Sequence, residues 1–374
     1  MNPCVAFTGG GTGGHIYPGL AVAEQFKSVC KNNDATDYKI VWIGSSSGMD
    51  RRVVESSGVV DKFYGVPSGK LRRYFSLKNI VDIFKIFAGF FSAFFILLKN
   101  KPVFLFSKGG FVSVPPCYAA RILNIPVYTH ECDFSPGLAT KLNSKVASKV
   151  LLTYEQTTSF FSDKKKLVVT GNPVRPAFYS ASAEKGLDFL GLKGKVERPI
   201  LVVIGGSLGA QQINELVLNN LDFLCKNFVV VHQTGMDNNV SGMINIADGL
   251  YKSYSFIYKE MPDVLAAADV VLSRAGANSL WECSVLGKPL VLVPLCGSGT
   301  RGDQVENARF FEKKGAACVL VGKEANSVNL RETLTKMADF SLRNEFSRAS
   351  ASLSAGSSPS KNIAQLLFSE VILE

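Results

Sequence analysis

The sequence predicts an α/β protein with two doubly wound, parallel-sheet domains. Short apolar runs alternate with longer stretches of helical periodicity, a pattern typical of parallel βαβ units. Each half of the chain also opens with a strand, a glycine loop and a helix. A length of 374 residues and a hydrophobic fraction of 47% suffice for two separate cores.

The predicted strands are short, and many of them lead straight into glycine. In chain order they are CVAFTG, KIVWIG, VFLFSKG, PVYTHE and KLVVTG in the first half, then PILVVIGG, FVVVHQTG, DVVLSRAG and PLVLVP in the second. Open parallel sheets bind ligands beyond the carboxyl ends of their strands. We therefore expect the function at these strand exits.

The first glycine loop, TGGGTGGHIYP at residues 8–18, satisfies the pattern G-x-G-x-x-G through Gly9, Gly11 and Gly14. A Rossmann-like domain that binds a dinucleotide is one interpretation. That interpretation needs an acidic residue at the end of the second strand, but KIVWIGSSSGMD offers its first acid, Asp50, only well past that point. The sequence therefore disfavours an NAD-dependent oxidoreductase without excluding it.

The same loop offers bare backbone amides at a helix N-terminus, where a phosphate is favoured. Thr12 adds a hydroxyl, and Pro18 suits the first helical turn. His15 then stands at the mouth of this site, and it is one of three histidines, with His130 and His232. Its ordinary alternative is a helix-start residue bonded to backbone.

The second half repeats the phosphate-binding pattern in GGSLGA at 205–210, where Ser207 adds a hydroxyl. SRAGANSLWE at 273–282 is another strand-to-helix turn, and Glu282 is placed to accept hydrogen bonds from ribose hydroxyls. A surface glutamate is the alternative. In GTRGDQVENA at 299–308, Gln304 and Asn307 are candidates for holding sugar hydroxyls.

The two domains are expected to join at TGNPVRPAF, residues 170–178, where two prolines block helix continuation. We place the domains at 1–172 and 173–355. The last stretch, 356–374, has small residues, a proline and an amphipathic run, which predicts a closing helix.

Residues 77–102 are the most apolar stretch. Their charge-free run, 86–98, is shorter than the roughly 20 residues of a spanning helix, so we do not expect a span. A buried helix explains the helical spacing of Ile80, Phe84, Phe87, Phe91 and Phe94, but not Phe90, Phe95 and Leu97. Only Asp82 opposes the surrounding bases, which are Lys70, Arg72, Arg73, Lys78, Lys85, Lys99 and Lys101. This combination favours peripheral attachment to an anionic membrane.

Charge is unevenly distributed along the chain. Residues 1–180 hold 22 basic and 11 acidic groups, whereas residues 181–374 hold 19 and 20, so the first half carries the whole excess. A positive half suits a phosphorylated substrate or an anionic membrane. The eight cysteines form no CxxC pair and have no histidine at metal-ligand spacing. They indicate a reducing compartment, and the N-terminus lacks the pattern of a signal peptide.

Taken in order, the motifs of this chain resemble those of the bacterial MurG family over nearly its whole length. They are GGGTGGHIYPGLAVA, SKGGFVSVPP, THECDFSPGLATK, VTGNPVRP, VIGGSLGAQQIN, SRAGANSLWE and GDQVENA. The resemblance implies a GT-B fold, with two Rossmann-like domains facing across a cleft and the C-terminal helix returning to the first domain. It also implies an N-acetylglucosaminyltransferase that converts lipid I to lipid II in peptidoglycan synthesis.

The resemblance implies that the C-terminal domain binds UDP-GlcNAc. Ser207 would lie at the diphosphate, Tyr258 beside the uracil through its backbone and Gln304 on the sugar, while Arg175 matches a position that reaches the nucleotide. The phosphate and ribose would be surrounded by Ala277, Asn278, Ser279, Leu280, Trp281 and Glu282.

The N-terminal domain would take the lipid-linked acceptor, with its pyrophosphate beside Thr12, Gly13 and Gly14. The MurNAc 4-hydroxyl would attack the anomeric carbon and displace UDP with inversion. This step needs a general base, and helix N-termini can stabilise the leaving diphosphate without a tightly bound metal. His15 is the first candidate for the base and Glu131 or Asp133 the second. The alternative role for Glu131 is to orient the acceptor only.

No cofactor, resident metal or nucleic-acid partner is expected. The resemblance implies a peripheral protein on the cytoplasmic face of the bacterial inner membrane, with cell-wall and division-machinery proteins as candidate partners. Two residues depart from the family pattern, since Asp133 replaces an asparagine and Phe111 a tyrosine. The first adds a negative charge near phosphates, which is costly unless it is paired or protonated.

Three other functions remain open at this point. UDP-GlcNAc 2-epimerases and plant-type galactolipid synthases share the architecture, and the epimerase requires no membrane face. A nucleotide-binding adaptor without catalysis is the third, and it is disfavoured because both clefts carry candidate reactive groups.

Overall fold

A computed structural model describes residues 3–35, 37–69, 77–194, 197–206, 209–235, 249–297 and 300–372, and the side chains of these except 77–80 and 371–372. Contacts divide the chain into two compact units. The first consists of Met1–Arg175 and Ser357–Glu374, and the second of Pro176–Gly356.

The first unit is built on a seven-stranded sheet in which every described strand pair is parallel. Its order is β3-β2-β1-β4-β5-β6-β7, so the chain reverses direction across the sheet between β1 and β4. The strands are β1 (Cys4–Thr8), β2 (Lys39–Ser45), β3 (Lys62–Val66), β4 (Leu105–Ser107), β5 (Val127–Glu131), β6 (Lys149–Leu152) and β7 (Leu167–Val169).

Helices cover both faces of this sheet, and alternation along β1 shows why. Val5 and Phe7 point into a core with Phe26 and Trp42, while Ala6 points into a second core on the other face. The helices are α1 (Gly13–Asn32), α2 (Asp50–Ser56), α3 (Leu77–Asn100), α4 (Val114–Ile122), α5 (Leu138–Asn143) and α15 (Pro359–Ile372).

The C-terminal helix α15 belongs to the first unit. Its apolar side chains Ile363, Leu367 and Phe368 pack into the core that holds α1. Glu370 accepts a hydrogen bond from Tyr128 and pairs with Lys149, which lowers the pKa of its carboxyl.

Helix α3 is packed along one narrow face only. Gly89, Ala93 and Leu97 are buried there, and a Cβ on Gly89 would lie 2.2 Å from the Pro67 carbonyl oxygen. A stripe on the opposite side is open to solvent, with exposures of 71, 61, 56, 63 and 46% for Phe84, Phe87, Phe91, Phe95 and Leu98. We call these five residues the phenylalanine stripe.

The sequence-based interpretation of this helix was therefore wrong in detail. Phe84, Phe87 and Phe91 were assigned to a buried face and are exposed, whereas Leu97 is buried. By length and composition, Val81–Asn100 could cross a membrane, since its mean hydropathy is 2.1, so length alone does not exclude a span. Those two properties alone are weak grounds for a span. The four bases Lys70, Arg72, Arg73 and Lys78 lie outside the described side chains.

The second unit repeats the plan with a six-stranded sheet, whose described pairs are also parallel. The order β10-β9-β8-β11-β12-β13 reverses between β8 and β11. Its strands are β8 (Ile200–Ile204), β9 (Val229–Gln233), β10 (Tyr251–Tyr254), β11 (Val270–Ser273), β12 (Leu290–Leu292) and β13 (Ala317–Val319).

The helices of the second unit complete its two outer layers. They are α6 (Pro176–Tyr179), α7 (Ala183–Phe189), α8 (Gln211–Leu218), α9 (Leu221–Asn227), α10 (Met261–Ala267), α11 (Ala277–Val285), α12 (Asp303–Lys313), α13 (Ser327–Met337) and α14 (Phe340–Ser354). The prediction of two Rossmann-like, parallel-sheet domains is thus confirmed.

Candidate active site

The first glycine loop leaves β1 at the reversal point of the first sheet and ends where α1 begins, at Gly13. Thr12 occupies the N-cap in an extended conformation, and its side chain does not cap the helix. His15 therefore lies in the first turn, where its amide donates to the Thr12 carbonyl at 3.1 Å. Pro18 lies inside the helix rather than in its first turn, which corrects the sequence-based placement.

A second glycine pair, Gly109–Gly110, holds the His15 ring from the neighbouring strand exit. Both glycines have positive φ, +87° and +79°. A Cβ on Gly110 would lie 2.8 Å from Cδ2 of His15 and 2.8 Å from the Gly10 carbonyl oxygen. The imidazole thus packs on bare backbone at the point where β1 and β4 diverge, which is where an open sheet binds its ligands.

Asp50 fastens the first loop to the second strand. Its carboxylate accepts hydrogen bonds from the Gly11 amide at 3.0 Å and the Ser45 amide at 2.8 Å, and the side chain is 1% exposed. Burial raises the pKa of this carboxyl, against the opposing effect of the two amides. Because Asp50 occupies a loop amide that a bound phosphate would use, the dinucleotide interpretation loses further support.

A polar cavity of about 260 Å³ opens beside this fastening. It is lined by Gly11, Ser45, Ser47, Gly48, Met49, Asp50, Ser68, Asp82 and Phe111. The Phe111 ring covers Gly11, since a Cβ there would lie 2.6 Å from the ring. The cavity gives room for a polar group next to the loop.

Glu131, at the end of β5, organises the loop that follows it. One carboxylate oxygen accepts the Asp133 amide at 3.1 Å and the other accepts the Gly137 amide at 2.9 Å. Glu131 is 4% exposed, whereas Asp133 is half-buried. Since both oxygens are engaged by backbone, this geometry favours a positioning role for Glu131 over that of a free base.

The ligand atoms of Glu131, Cys132 and Asp133 all lie within 4.8 Å of one another, a spacing that a metal ion would tolerate. The engaged oxygens of Glu131 disfavour such a role, as does the Cys132 thiol, because burial raises its pKa to about 12. The thiolate that binds a metal is therefore scarce at neutral pH.

Two buried cationic or titratable groups lie behind this loop. His130 is 1% exposed, its Nε2 contacts the Gly171 carbonyl at 2.9 Å, and burial followed by the charge of Lys108 lowers its pKa well below the usual value. Lys108 directly follows β4 and is also 1% exposed. A neutral, enclosed His130 is not placed to act as a surface-accessible base.

Arg175 is the last residue of the first unit's main segment. Its guanidinium lies over the ring of Tyr17 at 5.3 Å, and that ring lies 3.0 Å from a Cβ placed on Gly13. The structure thus brings Arg175 to the beginning of α1, beside the glycine loop.

The second unit places its site residues at the corresponding reversal point. In α11, Ala277, Leu280 and Trp281 are buried, and the Trp281 ring packs on Phe311. The half-buried members of the motif are Asn278, Ser279 and Glu282. Because the side chains of Ala277, Leu280 and Trp281 are enclosed, these three residues would meet a ligand through their backbone. Ser207 lies outside the described residues.

Gln304 and Tyr258 occupy two further loops of this unit. Gln304, in the first turn of α12, accepts the Leu295 amide through Oε1 at 2.9 Å. The side-chain nitrogen of Gln304 takes no part in this hydrogen bond. Tyr258 is 40% exposed and stacks on Phe256 at 6.2 Å.

Comparison with known proteins agrees with this architecture. Residues 5–152 match the glycosyltransferase family 28 N-terminal domain, and residues 200–367 match the C-terminal domain of that family. A Treponema denticola protein is 54% identical over 86% of this chain and 84% of its own length. It is named UDP-N-acetylglucosamine--N-acetylmuramyl-(pentapeptide) pyrophosphoryl-undecaprenol N-acetylglucosamine transferase. This chain belongs to the MurG family.

Two further matches extend over almost the entire chain. A Treponema pallidum protein with the same name is 45% identical over 97% of this chain and 94% of its own. The crystal structure of Acinetobacter baumannii MurG superposes with a TM-score of 0.71 at 22% identity, covering 99% of this chain and 100% of that one. At that identity, the structural match supports the fold.

Two residues that shape the first site were not predicted from the sequence as site residues. Asp50 was considered only as a ribose ligand, and it instead ties the loop to β2. For Lys108, the one clue in the sequence was its position at a strand exit. A charged residue between an apolar strand and two glycines is unusual.

Proposed function

We propose that this chain is a UDP-GlcNAc-dependent N-acetylglucosaminyltransferase of peptidoglycan synthesis. It transfers GlcNAc to the MurNAc 4-hydroxyl of undecaprenyl-pyrophosphoryl-MurNAc-pentapeptide, lipid I, and yields lipid II and UDP. The observation that carries the proposal is the 54% identity with a transferase of that name. It favours this function over an epimerase, a galactolipid synthase or an oxidoreductase.

The acceptor is assigned to the first unit. The amides of Gly13 and Gly14 and the hydroxyl of Thr12 stand at the start of α1, a 20-residue helix whose N-terminus favours a diphosphate. The packing of Arg175 on Tyr17 adds a cation beside the same helix start. The polar cavity next to Gly11 offers space for a hydrophilic part of the acceptor.

The donor is assigned to the second unit. The start of α11 would meet the phosphate and ribose through the backbone of Ala277 and the side chains of Asn278, Ser279 and Glu282. Gln304 would hold the sugar and Tyr258 the uracil, while Ser207 retains its proposed place at the diphosphate. Arg175 is the one donor-site candidate that lies in the first unit.

His15 is assigned as the general base. It removes the proton of the attacking 4-hydroxyl as the new carbon–oxygen bond forms, and the bond from the anomeric carbon to UDP breaks with inversion. The Gly109–Gly110 backbone fixes its ring. Glu131 shapes the loop that carries Asp133, and this loop orients the acceptor.

The phenylalanine stripe is assigned to the cytoplasmic surface of the bacterial inner membrane. Lys85 and Lys99 on the same helix are exposed, and Lys101 follows it. Aromatic side chains next to lysines are the pattern of a peripheral protein on an anionic bilayer. Proteins of cell-wall synthesis and division that assemble at this surface are the proposed partners.

The deciding experiment follows labelled GlcNAc from UDP-GlcNAc to a short-prenyl lipid I analogue, together with UDP release. We expect glycosylated acceptor and UDP in equal amounts. UDP without glycosylated acceptor would replace the proposal with an epimerase or hydrolase. Donor binding without any turnover would refute the acceptor assignment.

Membrane attachment is tested by sedimentation with phosphatidylglycerol vesicles at low and high salt. We expect the double variant Phe87→Ser, Phe91→Ser to bind at least tenfold less to the vesicles. It removes two aromatic rings that would be buried in the bilayer when the protein is attached. Phe340→Ser is the matched control, since Phe340 is 69% exposed in the second unit. Equal binding of all three proteins would overturn the assignment of the stripe.

A further inference from the structure

Lys108 is a buried cation without a strong hydrogen-bond acceptor. It follows β4, its amide donates to the Thr8 carbonyl at 2.9 Å, and the residue is 1% exposed. Its Nζ is shielded from solvent and meets no oxygen acceptor among the residues that the structure describes, and the group beside it is the weakly accepting Cys132 thiol, whose pKa it lowers. Ammonium groups that are buried without a carboxylate or carbonyl partner are rare in folded proteins, and each one calls for an explanation.

The side chain lies between the first glycine loop and the acidic loop after β5. A Cβ placed on Gly9 would lie 3.3 Å from Cβ of Lys108, which puts the lysine directly beneath the glycine loop. On its other side lies the Cys132 thiol, whose pKa is affected by the charges of Asp133, Lys108 and Glu131. His130 also feels the charge of Lys108. The ligand atoms of Glu131, Cys132 and Asp133 lie within 4.8 Å of one another, so the ammonium beside the Cys132 thiol is also close to both carboxylates.

This arrangement is unfavourable for stability. An ammonium removed from water with only a thiol beside it is destabilising, because sulfur is a weak acceptor, and an unbranched apolar side chain such as methionine would fill similar space without that cost. Positions at which a sequence departs from the most stable choice are expected to concentrate at functional sites. The position of Lys108, at the reversal point of the sheet, agrees with that expectation.

The charges nearby indicate what the lysine does. Glu131 and Asp133 bring two negative charges to the crevice in which the proposed function places a diphosphate, and like charges repel. Inside a protein, weak screening lets a charge act well beyond contact distance. We propose that Lys108 is a positioning residue of the acceptor site, whose buried ammonium offsets Glu131 and Asp133 and so lets the crevice accept a diphosphate.

The inference rests on the proposed function for its ligand, so its test uses binding rather than turnover. Farnesyl diphosphate is titrated into the full chain by calorimetry, with UDP-GlcNAc titrated in parallel. Lys108→Met removes the charge at similar volume, Lys108→Arg keeps it, and Asp133→Asn removes one of the opposing charges. The double variant Lys108→Met with Asp133→Asn closes the cycle.

We expect Lys108→Met to weaken farnesyl diphosphate binding roughly tenfold or more, as the loss of one nearby charge implies. UDP-GlcNAc affinity should not change, and the melting temperature should stay level or rise. Asp133→Asn should strengthen farnesyl diphosphate binding several-fold, and the double variant should recover most of the affinity that Lys108→Met loses. Lys108→Arg should retain it.

Several results would overturn the inference. These are unchanged farnesyl diphosphate affinity in Lys108→Met, additive effects in the double variant, or an Asp133→Asn protein that binds no better than the parent. A parent that binds no farnesyl diphosphate would also refute it. If Lys108→Met does not fold, Asp133→Asn alone still decides. Absence of GlcNAc transfer in the parent would instead refute the proposed function and leave this cycle readable.

Discussion

The reversal points of the two sheets have the same topology but different chemistry. Beside β1 and β4, ionisable side chains organise the loops. The carboxylates of Asp50 and Glu131 accept hydrogen bonds from loop amides, and Lys108 and His130 are buried behind these loops. At β8 and β11, Arg274 donates to Gln212 and to the Val293 carbonyl. In the neighbouring strand β9, His232 lies between two neutral partners, Tyr251 and Asn214.

This difference separates two tasks that one fold can perform. The second unit presents a helix start, neutral hydrogen-bonding groups and the charged side chains of Arg274 and Glu282, but no imidazole at the helix start, and such a set suffices to hold a nucleotide-sugar. The first unit combines a helix start with an imidazole and a compensated set of charges, which a proton transfer requires. The comparison therefore predicts that substitutions in the first crevice alter turnover and acceptor binding, whereas those in the second alter donor binding or stability.

The largest effect is expected from His15→Ala. Loss of a general base should lower kcat by about 10³-fold, while the Kd for UDP-GlcNAc should be unchanged because His15 is not among the residues of the proposed donor site. The measurement is steady-state transfer to the lipid I analogue, with donor binding by calorimetry. His232→Gln serves as the matched histidine control and should retain turnover at neutral pH. Normal turnover in His15→Ala would remove His15 from the base role.

The second prediction concerns the pH dependence of the second unit. Burial lowers the pKa of His232 to about 4, below its ordinary value of 6.5. The folded unit therefore favours the neutral ring. The contribution of His232 to the free energy of unfolding is fully present above pH 6.5, and it is lost as the pH falls from 6.5 to about 4. The loss over this window should be roughly 3 kcal/mol.

The two tryptophans allow this window to be measured in one unit alone, since Trp42 lies in the first and Trp281 in the second. In a Trp42→Phe background, denaturant unfolding followed by Trp281 fluorescence reports on the second unit. The expected slope between pH 4 and 6.5 should disappear in His232→Gln. A slope that persists in that variant would assign the pH dependence to other groups.

The third prediction tests the backbone support of His15. Gly110→Ala introduces a Cβ 2.8 Å from the imidazole, at a φ of +79°. Displacement of the ring by a fraction of an ångström or more should lower kcat by up to about 10². Gly58→Ala is the matched control, because Gly58 also has positive φ but a Cβ there meets nothing within 4 Å, and it does not line the cavity beside Gly11. Equal loss in both variants would indicate backbone strain rather than displacement of His15.

Much of the fold was predictable because buried parallel strands are apolar runs that end in glycine. The strands that escaped prediction lack one of these features. β3 carries a glycine within KFYGV, β10 is the polar edge strand YKSY, and β13 is the three-residue edge strand ACV. β6 lies inside the sheet, but it follows a lysine-rich turn and spans four residues. Strands of this kind are defined by their pairing partners, which lie far away in the sequence.

The candidate site was predictable where a local pattern carries the chemistry. The glycine loop placed His15 at a helix start, and the HECDFSPG motif singled out Glu131. Residues whose roles arise from long-range contacts were not accessible. Asp50 contacts Gly11 across 39 positions, and Lys108 is defined by burial beneath that loop. The exposed face of α3 was misassigned for the same reason, since two apolar faces of one helix look alike until one is packed.

The smallest effect is expected from Asp50→Asn, which probes the fastening between the first loop and β2. The amide oxygen can still accept one hydrogen bond, but the new NH₂ group faces the Gly11 and Ser45 amides, which are also donors. A buried donor left without an acceptor should cost about 1–3 kcal/mol of stability. Gly11 lies in the loop that leads to Gly13 and Gly14, whose amides are proposed to bind the acceptor. We therefore also expect about a tenfold rise in KM for the lipid I analogue.

No corresponding change is expected for UDP-GlcNAc, because its proposed site lies mainly in the second unit and Asp50 lies in the first. Asp61→Asn is the matched control, since Asp61 accepts the Ile40 amide at 2.7 Å in the same unit but far along β2 from the loop. That variant should lose stability without a rise in acceptor KM. If both variants raise KM equally, the effect comes from general loosening of the unit. If only Asp50→Asn raises it, the carboxylate holds the loop in the geometry that the acceptor needs.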